Sequence, residues 1–545
     1  MNKIETELIE GLKQVINEIV EEPIDESMVM IEIPKDNSKG DYSSNIAMRL
    51  TKIMKQNPQA IASQFVEKLP NYCPSLDSVE VAGPGFLNFW IKGDQLAGII
   101  KTILDKGDDY GKNTSGQNEK VLVEWISVNP TGPLHIGHAR STAWGDVVCR
   151  LMEASGYDVL REYYINDAGN QIDNLALSLI ARYKESMGLD FELPQDGYHG
   201  EDVMEIALII KEKYGEDLLE REDVLEFFKQ KGIQYEMDRI YEDLQYFRVN
   251  IDSWISEQDL YDNGLVEDVI VKMKEKDLVY NQDDALWFKS SLYGDDKDRV
   301  LIKSDGLYTY LTPDIANHLH KIDRGYNNLV NFWGADHHGY IPRMKAALEA
   351  LGHKDVLEVD IVQMVRMVED GQEVKMSKRT GNAITLRDLC EDIGVDAVRY
   401  NMVTRALETH FDFDLGVARK QSNDNPVYYA QYAYARMNSI FEKANDVVPQ
   451  DQYTLLVDEK EVDLLKHLGT YTEMISDAAK TRAPNKVTNY IQKLAQYFHS
   501  FYGAHKINDP SNPELSNERL ALVKATQITL KNALEMIGVS SPKSM

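Results

Sequence analysis

Two histidines, His135 and His138, stand three residues apart in NPTGPLHIGHARS (residues 129–141), in a chain with only 12 histidines among 545 residues. An apolar run, VLVEWISV (121–128), precedes them, and ARSTAWGDVVCRLMEAS, with helical periodicity, follows. A buried parallel strand, a turn and a helix would put this turn at the carboxyl edge of a sheet. Nucleotide phosphates bind at that edge, against the free N–H groups of the helix start. Two imidazoles placed there can donate hydrogen bonds to phosphoryl oxygens whose charge grows during an in-line displacement. Gly137, between them, has no side chain, so a flat adenine ring could lie against its backbone. By itself the motif reads equally well as a helix-capping or packing feature.

A second stretch, GQEVKMSKRTGN (371–382), sets Lys375, Lys378 and Arg379 between glycines, after the strand-like IVQMVRMVE. A solvated basic loop is the ordinary reading of such a run. It is also what a mobile loop needs to close on a triphosphate and neutralise departing pyrophosphate. Two acids add a third element. Glu124 interrupts the apolar strand ahead of the histidines, a costly position without a partner. Asp314 follows another strand pattern in TYLTPD, four residues after Tyr310. Two carboxylates converging on one cleft point to a cationic substrate, and guanidinium pairs with carboxylate in a bidentate way. For each acid taken singly, a salt bridge to a lysine or arginine of the chain stays open as the alternative.

The elements that must hold these residues divide the chain into three parts. Residues 1–112 read as a small α+β unit. Ile4, Leu8, Leu12, Val15, Ile16 and Ile19 share one helical face, and SVEVAGPGFLNFWIK alternates like a hairpin around Gly83-Pro84-Gly85. DDYGKNTSGQNEK (108–120) reads as a linker. Residues 113–415 read as an α/β unit with a doubly wound parallel sheet, starting with the strand, turn and helix around the histidines and a second strand in DVLREYYIND. Residues 190–260 are charged and helical in pattern, as an insertion would be. From about residue 386 the chain reads as nearly all helical, with VYYAQYAYARMNSIFEKA behind Pro426, so 416–545 form an all-α unit. Such a length calls for several cores. The net charge of −30 taken alone argues against nucleic acid, though a local basic groove remains possible. Three separated cysteines, Cys73, Cys149 and Cys390, form neither a disulfide framework nor a four-cysteine metal site and suit a reducing, cytoplasmic setting. No apolar run is long enough to span a membrane, and acidic residues throughout the N-terminus speak against a secretory signal.

The pair of motifs, HIGH and KMSKR, resembles the class I aminoacyl-tRNA synthetases. GDYSSNIA, AGPGFLNF, EWISVNPTGPLHIGHARS, YYINDAGNQI, YLTPDIA and DAVRYNMVTR extend the resemblance over essentially the whole chain to the arginyl-tRNA synthetase family. That resemblance implies a Rossmann-like catalytic domain that makes arginyl-adenylate from ATP, brought with Mg2+ and without a dedicated protein metal site, and passes the arginyl group to the terminal adenosine of tRNA(Arg). It implies that His135, His138, Lys375 and Lys378 act on the phosphates and that Gly137, Asp336 and Ser377 belong to the ATP site. Glu124, Asn129, Tyr310, Asp314 and His337 map to the arginine site. An N-terminal domain would meet the tRNA elbow. In an all-α anticodon-binding domain, Tyr428, Tyr432, Arg436 and Met545 would face tRNA. Tyr428, Tyr429, Tyr432 and Tyr434 could stack on splayed bases, but at least half of that helix must pack inward. A monomer is the family's usual state. The alternatives are a class I synthetase for another amino acid, an H-x-G-H nucleotidyltransferase that does not act on tRNA, and a catalytically silent RNA-binding relative.

Overall fold

A computed structural model describes residues 3–32, 34, 39–369, 371–374, 384–444 and 447–545. At the N-terminus, helices α1 (Lys3–Ile19), α2 (Ile46–Met54) and α3 (Pro58–Lys68) cover a small sheet of β1 (Tyr42–Ser44), β2 (Leu76–Ala82) and β3 (Phe86–Ile91), in the order β1-β3-β2. The expected α1 stripe is buried at Leu8, Leu12, Val15 and Ile16. The β2–β3 hairpin turns through Gly83 and Gly85, whose φ angles of 50° and 129° a side chain would resist. Helix α4 (Gly93–Lys106) then sends Ala97, Ile100 and Ile103 into the large core shared by the rest of the chain.

The segment expected to be a linker, 108–120, is instead packed. Tyr110 is 3% exposed and its hydroxyl donates to the Leu468 carbonyl at 2.6 Å, while Asn532 donates to the carbonyls of Gly107 and Tyr110. Most of its polar side chains are exposed, and it is anchored through Tyr110 and backbone carbonyls.

The central sheet is parallel and five-stranded. It consists of β4 (Lys120–Glu124), β5 (Asp158–Ile165), β6 (Ser253–Ser256), β10 (Leu329–Gly334) and β11 (Leu357–Val362), ordered β11-β10-β4-β5-β6. The chain winds from β4 to β5 and β6 on one side and places β10 and β11 on the other. The switch point therefore lies between β4 and β10, where such sheets open a crevice at their carboxyl edge. Strand β4 ends at Glu124, four residues short of the apolar run, because Ile126 and Ser127 adopt φ of 73° and 31°. This local strain turns the chain out of the sheet toward the histidines.

Helix α5 (Ala139–Ala154) follows the motif; of the segment 190–260 expected to be a helical insertion, α7 (Glu201–Tyr214) and α8 (Val224–Tyr246) are helical and share a separate core with the preceding α6 (Asn170–Ser186), around Leu175, Ile206 and Phe228, whereas its last residues supply β6 of the central sheet. Next come α9 (Glu257–Asp262), α10 (Leu265–Glu275), the meander β7 (Val279–Gln282), β8 (Ala285–Phe288) and β9 (Arg299–Ile302), then α11 (Leu311–Asp323) and, after β10, α12 (Ile341–Leu351). Beyond β11, β12 (Val365–Glu369) pairs with β13 (Gln372–Glu373) and, in parallel, with β14 (Phe411–Asp414). The region after 386 is thus not purely helical: β14 closes a small sheet after α13 (Leu386–Ile393) and α14 (Val395–Met402). Helices α15 (Leu415–Ala418), α16 (Pro426–Phe441), α17 (Glu459–Gly469), α18 (Tyr471–Lys480), α19 (Asn485–Ala504) and α20 (Pro513–Met536) complete the chain. Buried Arg399 joins the two halves, pairing with Asp146 on α5 and donating to the carbonyls of Phe247 and Ile537.

Candidate active site

The paired histidines build their own platform. His135 Nδ1 accepts from the Gly137 N–H at 3.1 Å, and His138 Nδ1 accepts from the His135 N–H at 3.2 Å, a reciprocal capping box over the 3-10 turn Ile136–His138 that leads into α5. The rings stack, with centroids 3.6 Å apart. A Cβ on Gly137 would lie 2.8 Å from the His135 ring, so glycine is required by that ring as well as by any ligand. Burial pushes the His138 imidazole down to about 3, with His135 adding to the effect, and burial lowers His135 too. Both rings are therefore neutral near pH 7. With each Nδ1 occupied as an acceptor, the proton sits on Nε2, leaving one directed donor per ring. Capping and ligand donation are not rival readings here: capping fixes the tautomer that donation requires.

Lys375, Ser377 and Lys378 lie outside the described residues. The described chain before them is tied to β12, and the chain after them to the histidine turn. Val374 N–H donates to the Met367 carbonyl at 2.9 Å. On the far side, Ile136 N–H donates to the Ile384 carbonyl at 3.1 Å, and Leu386 N–H donates to Leu134 at 2.7 Å. Thr385 forms a bridge with His135. Beside this seam a cavity of about 640 Å³ is lined by Gly132, His135, Tyr198, Asp202, Thr385 and Arg387. Across the switch point, Asp336 and His337 stand exposed in the 3-10 turn Ala335–Tyr340 that follows β10, with His337 Nε2 3.4 Å from an Asp336 carboxylate oxygen.

The acids sort differently from the sequence expectation. Glu124 is buried and paired: Lys321, itself fully buried on α11, holds one carboxylate oxygen together with Asn317, and Ser127 donates to the other. Burial alone would raise this carboxyl; Lys321 and His318 bring it below its usual value. The alternative of a salt bridge within the chain is thus what the geometry shows for Glu124. The reason is tertiary, since α11 lies 197 residues away in sequence. Asp314, in the first turn of α11, has no lysine or arginine partner among the described residues. The Tyr340 hydroxyl donates to it, and burial, with Glu124 nearby, raises it to about 6.

Facing Asp314 is a residue the sequence reading passed over. Glu257, the first residue of α9, is 6% exposed, stands beside the Tyr164 hydroxyl, and is raised to about 7 by burial and by Asp314. Only an acid at a helix start could have been read there, and such acids are ordinary. Asn129 is bonded to Gln171 at the start of α6, and Tyr310, 75% exposed, stands at the rim one turn before Asp314. Asp314 and Glu257 are neighbouring desolvated carboxyls with no lysine or arginine paired to either among the described residues, the complement of a planar cationic group with several N–H donors.

In the helical part, Tyr432, Arg436, Tyr502, Lys506 and Met545 line one cavity of about 600 Å³. The Arg436 guanidinium lies over the rings of Tyr432 and Tyr502, at 4.6 and 5.1 Å, and Tyr428 stacks near Tyr432 with planes 8° apart. Tyr434 is buried and Tyr429 packs against His499, so this helix divides its tyrosines between core and cavity.

Comparison with known proteins adds three family matches along the chain. Residues 6–91 match an arginyl tRNA synthetase N-terminal domain, residues 99–406 a catalytic domain of tRNA synthetases class I (R), and residues 430–545 a DALR anticodon binding domain. The chain is 50% identical to the arginine–tRNA ligase of Bacillus licheniformis, over 99% of this chain and all of that one. It is likewise 50% identical to that of Bacillus subtilis, over 95% and 94%. Its fold is similar to that of the Thermus thermophilus arginyl-tRNA synthetase, with a TM-score of 0.76 at 22% identity over 99% of this chain and 100% of that one.

Proposed function

The chain belongs to the arginyl-tRNA synthetase family, and from that premise we propose how its residues divide the work of the reaction. It is an arginine–tRNA ligase: it activates L-arginine with ATP to arginyl-adenylate and pyrophosphate, then transfers arginine to the 3′ terminal adenosine of tRNA(Arg).

In this reading His135 and His138 donate from Nε2 to the phosphate oxygens as the arginine carboxylate attacks the α-phosphorus. They do so without carrying charge of their own, so they act on charge that develops in the transition state. Lys375 and Lys378, whose segment is followed by residues bonded to the histidine motif, neutralise the leaving pyrophosphate. Gly137 faces the adenine, and Asp336 and Ser377 complete the nucleotide site. Mg2+ would arrive with ATP and would supply charge neutralisation at its phosphates.

The guanidinium is received by Asp314 and Glu257, oriented by Tyr340 and Tyr164, while Asn129, Tyr310 and His337 hold the remaining polar groups of arginine. Tyr428, Tyr432, Arg436 and Met545 take tRNA at the helical end. The division at 112 and 415 is kept as part of this reading, beside family matches that run over 6–91, 99–406 and 430–545. A cytoplasmic monomer completes the reading; among the described residues no helix is long and apolar enough to cross a membrane.

The observation that carries the substrate choice is the buried carboxylate pair at Asp314 and Glu257. The test is tRNA charging with ATP and each amino acid in turn. Arginine alone should be charged, with lysine poor because its ammonium offers a point charge where a planar fork is expected. Better charging of lysine or glutamate would overturn the assignment of the pocket.

A further inference from the structure

One row of polar side chains crosses the central sheet beneath the pocket. Asn331 on β10 is in register with Glu124 on β4, Glu124 with Glu162 on β5, and Glu162 with Ser253 on β6. All four are within reach of a single helix. From α11, Asn317 and Lys321 reach Glu124, His318 meets Asn331 at 3.2 Å, and Arg324, just past the helix end, pairs with Glu162 and Ser253. Lys321 Nζ also lies 3.9 Å from Glu162. Lys321 and Glu162 are fully buried and Glu124 nearly so. A buried charge is tolerated only with a partner, and this row contains two acids and two bases. It is electrically closed.

The same helix carries Asp314 one turn into its start. His318 Nδ1 donates to the Asp314 carbonyl at 2.7 Å, so the row also fixes the first turn of α11. Asp314 is faced by Glu124 from β4, Tyr164 from β5, Glu257 and Tyr261 from α9, Tyr340 and His337 from the turn after β10, and His318 and Lys321 from its own helix. Among these, Lys321 is the nearest lasting positive charge, and it is spent on Glu124.

We propose that Lys321 is the positioning and charge-setting residue of the amino-acid pocket: by neutralising Glu124 from α11, it leaves Asp314 and Glu257 as open carboxylates and holds Asp314 where the guanidinium arrives. This rests on the arginine reading of the pocket. Lys321 touches no substrate. Its role follows from the closed row: without it, Glu124 becomes a third uncompensated acid beside Asp314. Asp314 is then harder to ionise, and the helix that presents it loses its deepest anchor.

The experiment is a double-mutant cycle on the full chain, with tRNA charging measured for arginine KM, ATP KM and pH profile, and thermal melting as a control. Lys321→Met should raise arginine KM about tenfold or more. It should move the acid limb of kcat/KM for arginine to higher pH and leave ATP KM in place. Glu124→Gln should also weaken arginine, because it leaves Lys321 and Arg324 sharing Glu162 alone, one positive charge in excess beneath the pocket. The double variant Lys321→Met/Glu124→Gln removes both charges together and should recover arginine KM to within about threefold of the wild type, with the original acid limb. If Glu124 held the substrate itself, or if Lys321 only filled space, the double variant would be as poor as the worse single one, and that result overturns the proposal. So does a Lys321→Met enzyme with unchanged arginine KM and pH profile. Should Lys321→Met fail to fold, the proposal still requires the double variant to bind arginine more tightly than Glu124→Gln. A wild type that does not charge arginine would instead overturn the reading of the pocket, a separate outcome.

Discussion

The nucleotide end and the amino-acid end of the cleft handle charge in opposite ways. At the nucleotide end, two histidines are kept neutral and are held by hydrogen bonds within four consecutive residues, His135 to His138. At the amino-acid end, acids are buried, and whether each is open or closed depends on partners brought from β4, β5, α9, α11 and the turn after β10. In the proposed assignment the first site meets a polyanion, which needs donors whose position is fixed before it binds. The second meets a cation, which needs acceptors left unpaired. A local motif can supply the former, since backbone N–H groups next in sequence orient the rings. The latter needs a balance of charges over the whole sheet.

The sharpest way to break this comparison is at Asp314. Asp314→Asn keeps the shape and removes one open acid. Losing one partner of a buried ion pair costs about 3–5 kcal/mol, and at about 1.4 kcal/mol per tenfold kcat/KM for arginine should fall by two to four decades. ATP KM should stay put. A variant that charges arginine near the wild-type rate would make Asp314 a structural residue only.

His138→Ala tests the other end, and its signature should be the inverse. Removal of one donor to developing charge costs about 10²–10³ in rate, so kcat should drop by two to three decades with arginine KM little changed. The lost cap also lowers stability by about 1 kcal/mol, which thermal melting will report. Equal losses in arginine KM would erase the distinction between the two ends.

The smallest effect separates them by pH. The carboxyls of Asp314 and Glu257 stand near 6 and 7 in the folded protein, above their ordinary values of 3.8 and 4.5. A raised folded-state value means that their contribution to stability is full below the ordinary value and is lost as pH rises through the folded one. The free enzyme should therefore lose stability from this pair between about pH 4 and 7. Arginine binds the ionised pair and reverses the loss. Saturating arginine should raise the melting temperature more at pH 8 than at pH 5.5, while the shift given by ATP, whose site holds histidines lowered by burial, should change less between these pH values. An arginine shift of the same size at both pH values would mean that the pair does not titrate on binding.

Much of this was legible in the sequence where the physics is local. The hairpin at Gly83–Gly85, the helix behind Pro426 and the strand, turn and helix around His135 all follow from turn chemistry, capping and periodicity, and the structure has each in place. Asp314 was singled out behind a strand pattern, but the structure ends β9 at Ile302 and puts Asp314 in the first turn of α11. Glu257 was missed because an acid opening a helix looks ordinary. Residues 108–120 read as a linker because composition reports polarity and not whether Tyr110 and Gly111 meet Leu468 and Tyr471.

The sequence by itself determined the identities that chemistry needs at the nucleotide end: two histidines, the glycine between them, and a lysine loop after a strand. It also determined the amphipathic faces that bury each core. Only the tertiary structure decided which acids are free. Glu124 and Asp314 look alike along the chain, each an acid at the edge of an apolar stretch. One is closed by Lys321 and the other left open beside Glu257, because the packing of α11 across the sheet puts its lysine over β4 and its first turn over α9. The cost of a buried charge depends on what lies within a few ångströms in space, and sequence spacing does not fix that distance.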